Sequence, residues 1–475
     1  MTQANEFLSD PRRGAGATCG RRRGLVAGIR CLAVAAGLGF AAPVFGAEAG
    51  PLPWSAQPLT LANCVDVALR QNSGVLRGRS DLEAAYGVVI QTRAIAMPKI
   101  QATGDYRATD AVEKLPIPII TATGDQTWSA NIQVVQTIYQ GGRISSALRA
   151  AKLTKEQAIL QFQTVLTDTV LDVTVAFYDV LLAKQLIVVQ EASVKLLGQE
   201  LEDQKRRLDA GTAPSFNVLR AEVELANARP RLIRARNDYR VAKNNLANLL
   251  GYRIPREMLE DVPLELAGRL EAEPWEIDLP TGISQALGKR PELAALRKAE
   301  SLRREDIVAA SGGAKPTVQL FGGYGARTSQ IYSDLTRDVH GWAAGAQVSW
   351  DIFDGFLTRG KVDQARALLD RSRVDLDDTA RRVELEVRTA YSNFIEAREL
   401  LESQKKNQEQ ADEALRQANA RSEAGTGTQL DVLGAQTALT EARTTQIQAL
   451  HDYAVARARL ERAIGRNVVE PPVSP

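Results

Sequence analysis

Two kinds of hydrophobic periodicity alternate along this chain, and the same series of patterns occurs twice. Each time a helical stretch is followed by two short runs of alternating apolar and polar residues, then by a very long helical stretch and a shorter one. The helical stretches lie at about 60–96, 143–209 and 215–250, and again at about 281–312, 357–423 and 428–464. We therefore predict a mixed α+β but mostly α-helical fold with four strands, two in each half.

The alternating runs predict the four β-strands. IQATGDYR (100–107) alternates small or apolar side chains with polar ones, and WSANIQVV (128–135) does the same. VQLFGGYG (318–325) and WAAGAQVSW (342–350) repeat the alternation less regularly. Such a period of two is typical of strands with one apolar and one polar face.

The long helical stretches carry a coiled-coil period. At about 1.5 Å per residue, each would extend about 100 Å. In the first, one seam of positions spaced four and three apart is apolar up to Val180 and then apolar at every seventh residue, with Lys184, Glu191, Gly198 and Lys205 in the gaps, which predicts a long antiparallel coiled coil. This seam comprises Leu166, Val170, Val173, Phe177, Val180, Ile187, Val194, Leu201 and Leu208. The first helix and the returning helix of each half together about equal the long one, so we expect them to stack end to end beside it.

The two halves form an internal tandem repeat. GTAPSFNVLRAEVEL (211–225) and GTGTQLDVLGAQTAL (425–439) align without a gap, 214 residues apart. Farther upstream the spacing is 218, as between Pro98 and Pro316. Two units of about 200 residues with the same order of motifs indicate a duplication.

Proline and glycine mark the same places in both units. Pro98 and Pro316 are predicted to break the first helix before each strand pair, because proline lacks the amide donor. Gly141, Gly142 and Gly355 lie where a strand becomes a long helix, and we expect them to act as hinges that need a glycine backbone.

The N-terminus has the features of a secretory signal. Arg21–Arg23 and Arg30 precede the apolar stretch 31–46, which is too short for a membrane-spanning helix. We divide the chain into a signal peptide (1–46), an N-terminal linker (47–57), a first repeat (58–251), a Pro-rich connector (252–280), a second repeat (281–466) and a disordered tail (467–475).

Charge and cysteine content exclude some classes of protein. The net charge of the chain is +2, and residues 1–46 carry six Arg against Glu6 and Asp10, which leaves about −2 for the remainder. That balance gives no basic surface for nucleic acid. Beyond the signal only Cys64 remains of the three cysteines, so no disulfide within the chain is expected.

No catalytic, cofactor-binding or metal-binding constellation is predicted. The two histidines, His340 and His451, fall in different elements, and Cys64 has no neighbouring Cys or His to complete a metal site. We therefore expect a protein that is not an enzyme and needs no cofactor.

Strands of this length match a lipid bilayer when tilted. In lipid every backbone group must be paired, so the sheet has to close into a barrel, and four strands cannot close around a lumen. Several chains must combine their strands, and three would give twelve. The helices are too polar for lipid and would lie outside the membrane. Four aromatic residues would then be expected in an interfacial belt: Tyr106, Trp128, Tyr324 and Trp342.

The order and spacing of these motifs resemble the outer-membrane efflux protein family, the TolC type, over residues 58–466. The resemblance rests on LTLANCVDVALRQN (59–72), IYQGGRISSALRAAK (138–152) and IFDGFLTRGKVDQAR (352–366), together with the two turn motifs. It implies a homotrimer in the outer membrane of a Gram-negative bacterium. A twelve-stranded barrel in outer-membrane lipid would continue into a periplasmic α-helical tunnel.

By the same resemblance, the protein would be an exit duct that docks onto an inner-membrane pump through a periplasmic adaptor. It would passively pass efflux substrates or secreted proteins. The turns after the long helices would form the periplasmic tips, with Gly211, Thr212, Gly425 and Thr426 as adaptor contacts. The plainer interpretation is that these residues only end one helix and begin the next.

Asp431 lies where the family places an acidic residue at the narrow end of the tunnel. Three copies would form a negative ring that favours cations and serves as a periplasmic gate. The alternative is a helix cap, because Thr428 and Asp431 have capping-box spacing. Gly434, Asn217 and Gly427 occupy positions where charged partners are expected in the family, so we expect a gate without tight ion pairs.

A periplasmic coiled-coil scaffold or adaptor without membrane strands is the alternative function. The strand pairs, which occur at matching places in both units, argue against it.

Overall fold

The structure is a computed structural model in which residues 58–108, 126–252, 262–328, 335–336 and 338–466 are described. All of them belong to the unit Pro53–Pro475. The proposed signal peptide, the linker 47–57 and the tail 467–475 lie outside the described residues.

The element order is the same in both halves of the chain. The elements of the first half are α1 (Leu61–Gln71), α2 (Ser73–Arg93), β1 (Lys99–Ala108), β2 (Gln126–Gln140), α3 (Arg143–Asp209) and α4 (Ser215–Leu249). Those of the second half are α5 (Leu279–Lys289), α6 (Pro291–Ser311), β3 (Thr317–Thr328), β4 (Asp338–Ser349), α7 (Leu357–Glu423) and α8 (Gln429–Ile464). The predicted mostly helical fold with four strands is confirmed, and both long helices begin and end at the predicted residues.

The prediction of one continuous first helix in each half was wrong. The first is broken at Asn72 and the second at Arg290, at matching positions of the repeat. Asn72 leaves the helix because its side chain caps α2, accepting a hydrogen bond of 2.7 Å from the Gly74 amide. Arg290 is extended because it precedes Pro291, which disfavours the helical conformation of the residue before it.

Each break receives the end of a returning helix. Gly251 and Gly465 terminate α4 and α8 with φ of +79° and +78°. A Cβ atom at Gly251 would lie 2.5 Å from the carbonyl oxygen of Gln71, so only glycine permits this approach. The Asn72 amide also donates to the Leu249 carbonyl oxygen at 2.8 Å. The end of the returning helix α4 thus meets the start of α2 beside α3. The end of α8 meets the break between α5 and α6 in the same way.

The helices lie side by side in one layer, and their order across the layer follows the order of the strands across the sheet. The sheet is antiparallel with the order β1-β2-β3-β4. α3 packs against α2 and α4 on one side and against α6 and α8 on the other, while α7 packs chiefly on α8 and α6. Because α2, α3, α6 and α7 flank β1, β2, β3 and β4 in the chain, each strand continues a helix of the layer.

The apolar core is concentrated at the two helix junctions. Val173, Phe177 and Val180 of the predicted seam pack with Cys64 and Leu246 at the first junction. The matching cluster at the second junction is built around Phe394, Val387, Leu460 and Ile464. Burial raises the pKa of the Cys64 thiol to about 11, so it is an inert core residue.

The described part of the connector binds both halves. Leu59 exchanges backbone hydrogen bonds with Glu265 and Ala267, at 2.8 and 2.9 Å. Farther on, the hydroxyl of Tyr453 donates to the Glu273 carbonyl oxygen at 2.7 Å. The described part of the connector, residues 262–280, therefore contacts both halves at the level of the helix junctions. Among the described helices, none combines the length and apolar character needed to cross a membrane.

Candidate functional site

The strand register gives the sheet one apolar face. Tyr106 is paired with Trp128, and Tyr324 is paired with both Ile132 and Trp342. The face comprises Ile100, Ala102, Gly104 and Tyr106 on β1, Trp128, Ala130, Ile132 and Val134 on β2, Val318, Leu320, Gly322, Tyr324 and Ala326 on β3, and Trp342, Ala344, Ala346 and Val348 on β4. All four aromatic residues expected in the belt lie on it, and Trp342 is 80% exposed.

The opposite, polar face is concave. A Cβ atom at Gly323 would lie 2.8 Å from the Ile132 carbonyl oxygen, and one at Gly345 would lie 2.9 Å from the Phe321 ring. On the apolar face, a Cβ atom at Gly322 would meet its nearest neighbour only at 3.8 Å. Gly341, on the same polar face near the β4 edge, has open space, but the close neighbours at Gly323 and Gly345 indicate that the sheet curves toward its polar face there.

Both edges of the sheet and helical layer are unpaired among the described residues. Every residue of β1 and β4 is exposed. Large apolar side chains are exposed along α4, at the same edge as β1, and along α7, at the edge of β4. They are Phe216, Leu219, Val223, Ile233 and Val241 on α4, and Leu357, Leu368, Val374, Leu385 and Leu400 on α7.

Left-handed backbone marks each passage from strand to long helix. Gly141 and Gly142 have φ of +60° and +90°, and a side chain at Gly141 would overlap the Gly312 backbone. In the second half Gly355 has φ of +64° and Phe356 has φ of +68°. A non-glycine residue in this region costs roughly 1–2 kcal/mol.

The two prolines singled out by sequence directly precede β1 and β3. Pro98 follows the 3₁₀ turn Ala94–Ala96, and Pro316 follows the turn Gly312–Ala314. The α-helices themselves end before these turns, at Arg93 and Ser311. Each proline therefore lies at the change from helical to extended backbone.

The two tip turns have the same backbone geometry. Gly211 and Gly425 have φ of +73° and +72°, and both are exposed. The Thr212 amide donates to the Arg207 carbonyl oxygen at 2.8 Å, and the Thr426 amide donates to that of Arg421 at 2.9 Å. These bonds close the long helices, and they leave the glycine and threonine surfaces accessible to solvent.

Asp431 forms a complete capping box with Thr428. The Asp431 amide donates to the Thr428 hydroxyl at 3.2 Å, and the carboxylate accepts from the Thr428 hydroxyl at 2.7 Å and from its amide at 3.0 Å. These hydrogen bonds lower the pKa of Asp431 below its ordinary value, and the bond from the Thr428 hydroxyl contributes most. Asp431 is exposed, so the cap keeps a negative charge at the tip surface.

The tips of the two halves are joined by contacts that sequence reasoning missed. The Gln429 amide donates to the Asn217 carbonyl oxygen at 3.0 Å. Leu433 is 4% exposed and packs with Leu197, Leu201 and Leu225, whereas Leu219, its repeat equivalent, is 59% exposed. Both positions hold leucine, so no local signal distinguishes them.

Two further polar links join α8 to its neighbours. His451 contacts Asp179 of α3 at 2.8 Å and Asp452 at 3.0 Å. Nearer the sheet, Arg462 contacts Asp168 at 2.7 Å and Glu386 at 2.9 Å. Burial opposes ionisation of Glu386, but hydrogen bonds and attraction from its arginine partners lower its pKa overall. Within the described ranges, no group of three or more His, Cys, Asp or Glu residues could hold a metal ion.

The comparisons with known proteins agree with this architecture. The family model described as "Outer membrane efflux protein" matches residues 64–252 and 282–466, one match for each half. Outer membrane efflux protein BepC of Brucella suis is 25% identical over 417 residues, 86% of this chain and 85% of BepC. Outer membrane protein TolC of Escherichia coli is 23% identical over 411 residues, 83% of this chain and 80% of TolC.

Solved structures share the fold. The Campylobacter jejuni CmeC outer membrane channel has a TM-score of 0.75 at 16% sequence identity, covering 87% of each chain. With a family match across both halves and the same fold, this chain belongs to the outer membrane efflux protein family.

Proposed function

We propose that three copies of this chain form an outer-membrane duct that passively conducts substrates from an inner-membrane pump. The observation that carries the proposal is the pair of open edges. Each side of the molecule ends in an unpaired strand and, next to it, a helix with exposed apolar residues. The edge of β1, α2 and α4 on one copy would join the edge of β4 and α7 on the next.

The sheet supports membrane insertion through its two faces. Its apolar face would contact outer-membrane lipid, and its concave polar face would line the lumen. Unpaired strand edges are costly in lipid, so four strands need further copies to close the barrel. Three copies supply twelve strands.

The helical layer supports closure in the aqueous part. The exposed apolar residues of α4 and α7 lie at the two edges, where a neighbouring copy would bury them. The helices would continue the barrel into the periplasm as a tunnel, with the junctions and their connector around its middle. We propose 58–251 and 281–466 as the units that build this wall, with 252–280 as the strap between them.

We assign the periplasmic end to the two tip turns. Gly211, Thr212, Gly425 and Thr426 are exposed there and would contact a periplasmic adaptor. The adaptor would connect the duct to an energised pump, since a duct of this kind needs no catalytic centre or cofactor of its own. Gly141, Gly142 and Gly355 would be the hinges at which barrel strands become tunnel helices, with Pro98 and Pro316 at the change from helical to extended backbone where the chain enters the barrel.

Fractionation tests the function. We expect the protein in the outer-membrane pellet as a heat-modifiable trimer that conducts ions in planar bilayers. A soluble periplasmic species would instead support the scaffold alternative and defeat the channel.

We further propose that the tip gate combines the Asp431 charge with an uncharged contact through Gln429 and Leu433. Replacing Asp431 with Ala should reduce the cation preference of single channels, because three carboxylates would be lost from one ring. Thr428→Ala serves as the control, since it removes the cap but keeps the charge. If conductance and cation preference in D431A equal those of wild type, Asp431 is a cap only.

A further inference from the structure

The charges on the strands are distributed unequally between the two faces. Lys99, Asp105 and Arg107 alternate with the apolar residues of β1, and Arg327 occupies the equivalent face of β3. These four side chains all lie on the concave polar face. The remaining acid of the described strands, Asp338, is in register with Thr328 on the other face. The concave face therefore has three cationic side chains and one anionic side chain.

The single acid on that face is engaged by a neutral group. Asp105 accepts a hydrogen bond from the Ser129 hydroxyl, and Ser129 is paired in turn with Arg327. Arg107 lies two residues from Asp105, toward the end of the strands away from the helices. Within the described residues, Lys99, Arg107 and Arg327 form no ion pair.

The bed between these charges consists of small residues. Gly325 is paired with Asn131 and Gly341, and Gly323 is paired with Ala343. Phe321 and Val339 border the hollow on the same face, and between them a solute near the wall would meet backbone, amide and guanidinium groups. Arg327 borders this hollow.

We propose that the barrel section of the duct is lined by fixed positive charge and favours anionic solutes. The inference rests on the proposed function, because it requires that the concave face lines a lumen. The described strands of each copy contribute three cations and one anion to this face, so three copies would triple the net positive charge. Arg and Lys rings select anions in other pores, and low-dielectric walls strengthen the effect. The barrel and the Asp431 end would then have opposite preferences in series.

The charge can be probed from one side with a polyvalent anion. Full-length protein is added to one chamber of a planar bilayer, so the helical part remains there and the barrel mouth opens to the other chamber. Hexacyanoferrate(III) is then added to the barrel side at about 50 mM KCl, where screening is weak. We expect a concentration-dependent block that higher salt relieves.

Matched variants identify the residues responsible. R107Q/R327Q should weaken the block about tenfold, since it removes two of the three cations from each copy. R107K/R327K keeps the charge and should retain the block. D338N changes a charge at the same end on the outer face and should leave the block unchanged. A heat-modifiable trimer on gels establishes that each variant has assembled.

Failure of the inference differs from failure of the function. A protein that never conducts defeats the proposed duct itself. A conducting channel that hexacyanoferrate does not block would mean that the barrel has no net positive field for anions. That result, or an equal block in wild type and R107Q/R327Q, overturns the inference.

Discussion

His451 lies between two carboxylates, and only the doubly protonated ring satisfies both. Nε2 lies 2.8 Å from Asp179 of α3, and Nδ1 lies 3.0 Å from Asp452. A neutral imidazole has only one N–H donor, so its other, unprotonated nitrogen would face a carboxylate with no hydrogen bond to give. Burial alone would lower the pKa of His451, but the hydrogen bonds to Asp179 and then Asp452 outweigh it and raise the pKa above 6.5.

We predict that this contact stabilises the protein in acid more than in base. Because the folded-state pKa is raised, the stabilisation is complete below pH 6.5 and is lost as the pH rises through the folded-state pKa. The melting-temperature advantage of wild type over His451→Gln should therefore shrink between acidic and alkaline pH. His340→Gln is the control, since His340 is exposed. An advantage that is constant with pH would mean that the ring acts by packing alone.

Residues whose role depends on close neighbours in sequence could be predicted. The Thr428–Asp431 capping box follows from a spacing of three, and glycine at the helix ends follows from the backbone conformation needed there. Asp179, the partner of His451 on α3, is 272 residues away in the sequence, and nothing local to His451 indicates it. The same holds for Leu433, which differs from Leu219 only in what packs on it.

At the scale of elements, the ends of helices were predictable and the internal breaks were not. Glycine after each long helix and proline before each strand pair are strong local signals. Asn72 sits within an otherwise helical pattern, and its capping role depends partly on α4, whose Leu249 carbonyl oxygen accepts from its amide. Pro291 offered a signal at the second break, because the residue before a proline avoids the helical conformation.

We predict that Asn72→Ala lowers stability by about 1–2 kcal/mol, through loss of the α2 cap and of the bond to α4. Thermal unfolding of the purified protein measures it. Asn72→Asp should fall between wild type and Asn72→Ala, because it keeps the capping oxygen and loses the amide donor. Asn63→Ala makes the same change at an exposed position of α1 and should have little effect. Equal melting temperatures for N72A and N63A would contradict the role of the break.

At the scale of the whole molecule, the open edges determine assembly. Leu385 is 64% exposed on α7, and its neighbours Val383 and Val387 point into the core of the same chain. The alternation of buried and exposed apolar residues on α7 means that one face packs within the protomer. The other face is left for a neighbour.

We predict that Leu385→Asp weakens the trimer and leaves the fold of the protomer intact, because it places a charge at the edge and spares the core. Size-exclusion chromatography with light scattering measures the change, and circular dichroism monitors the helices. Val188→Asp introduces the same charge at a site that is 62% exposed on α3, away from both edges. Loss of the trimer in both variants, or in neither, would refute this edge as the interface.

In the proposed trimer, the continuity of each strand with a long helix would also fix how neighbouring copies align. A slip of one residue between strands of neighbouring copies would turn every side chain to the wrong face. It would also slide the adjoining helices by about 3.3 Å, more than half of the 5.4 Å helical pitch. Side chains of neighbouring helices would then clash instead of packing into the grooves between one another along the tunnel. In the proposed trimer the helices would therefore fix in water the alignment that the strands need in lipid.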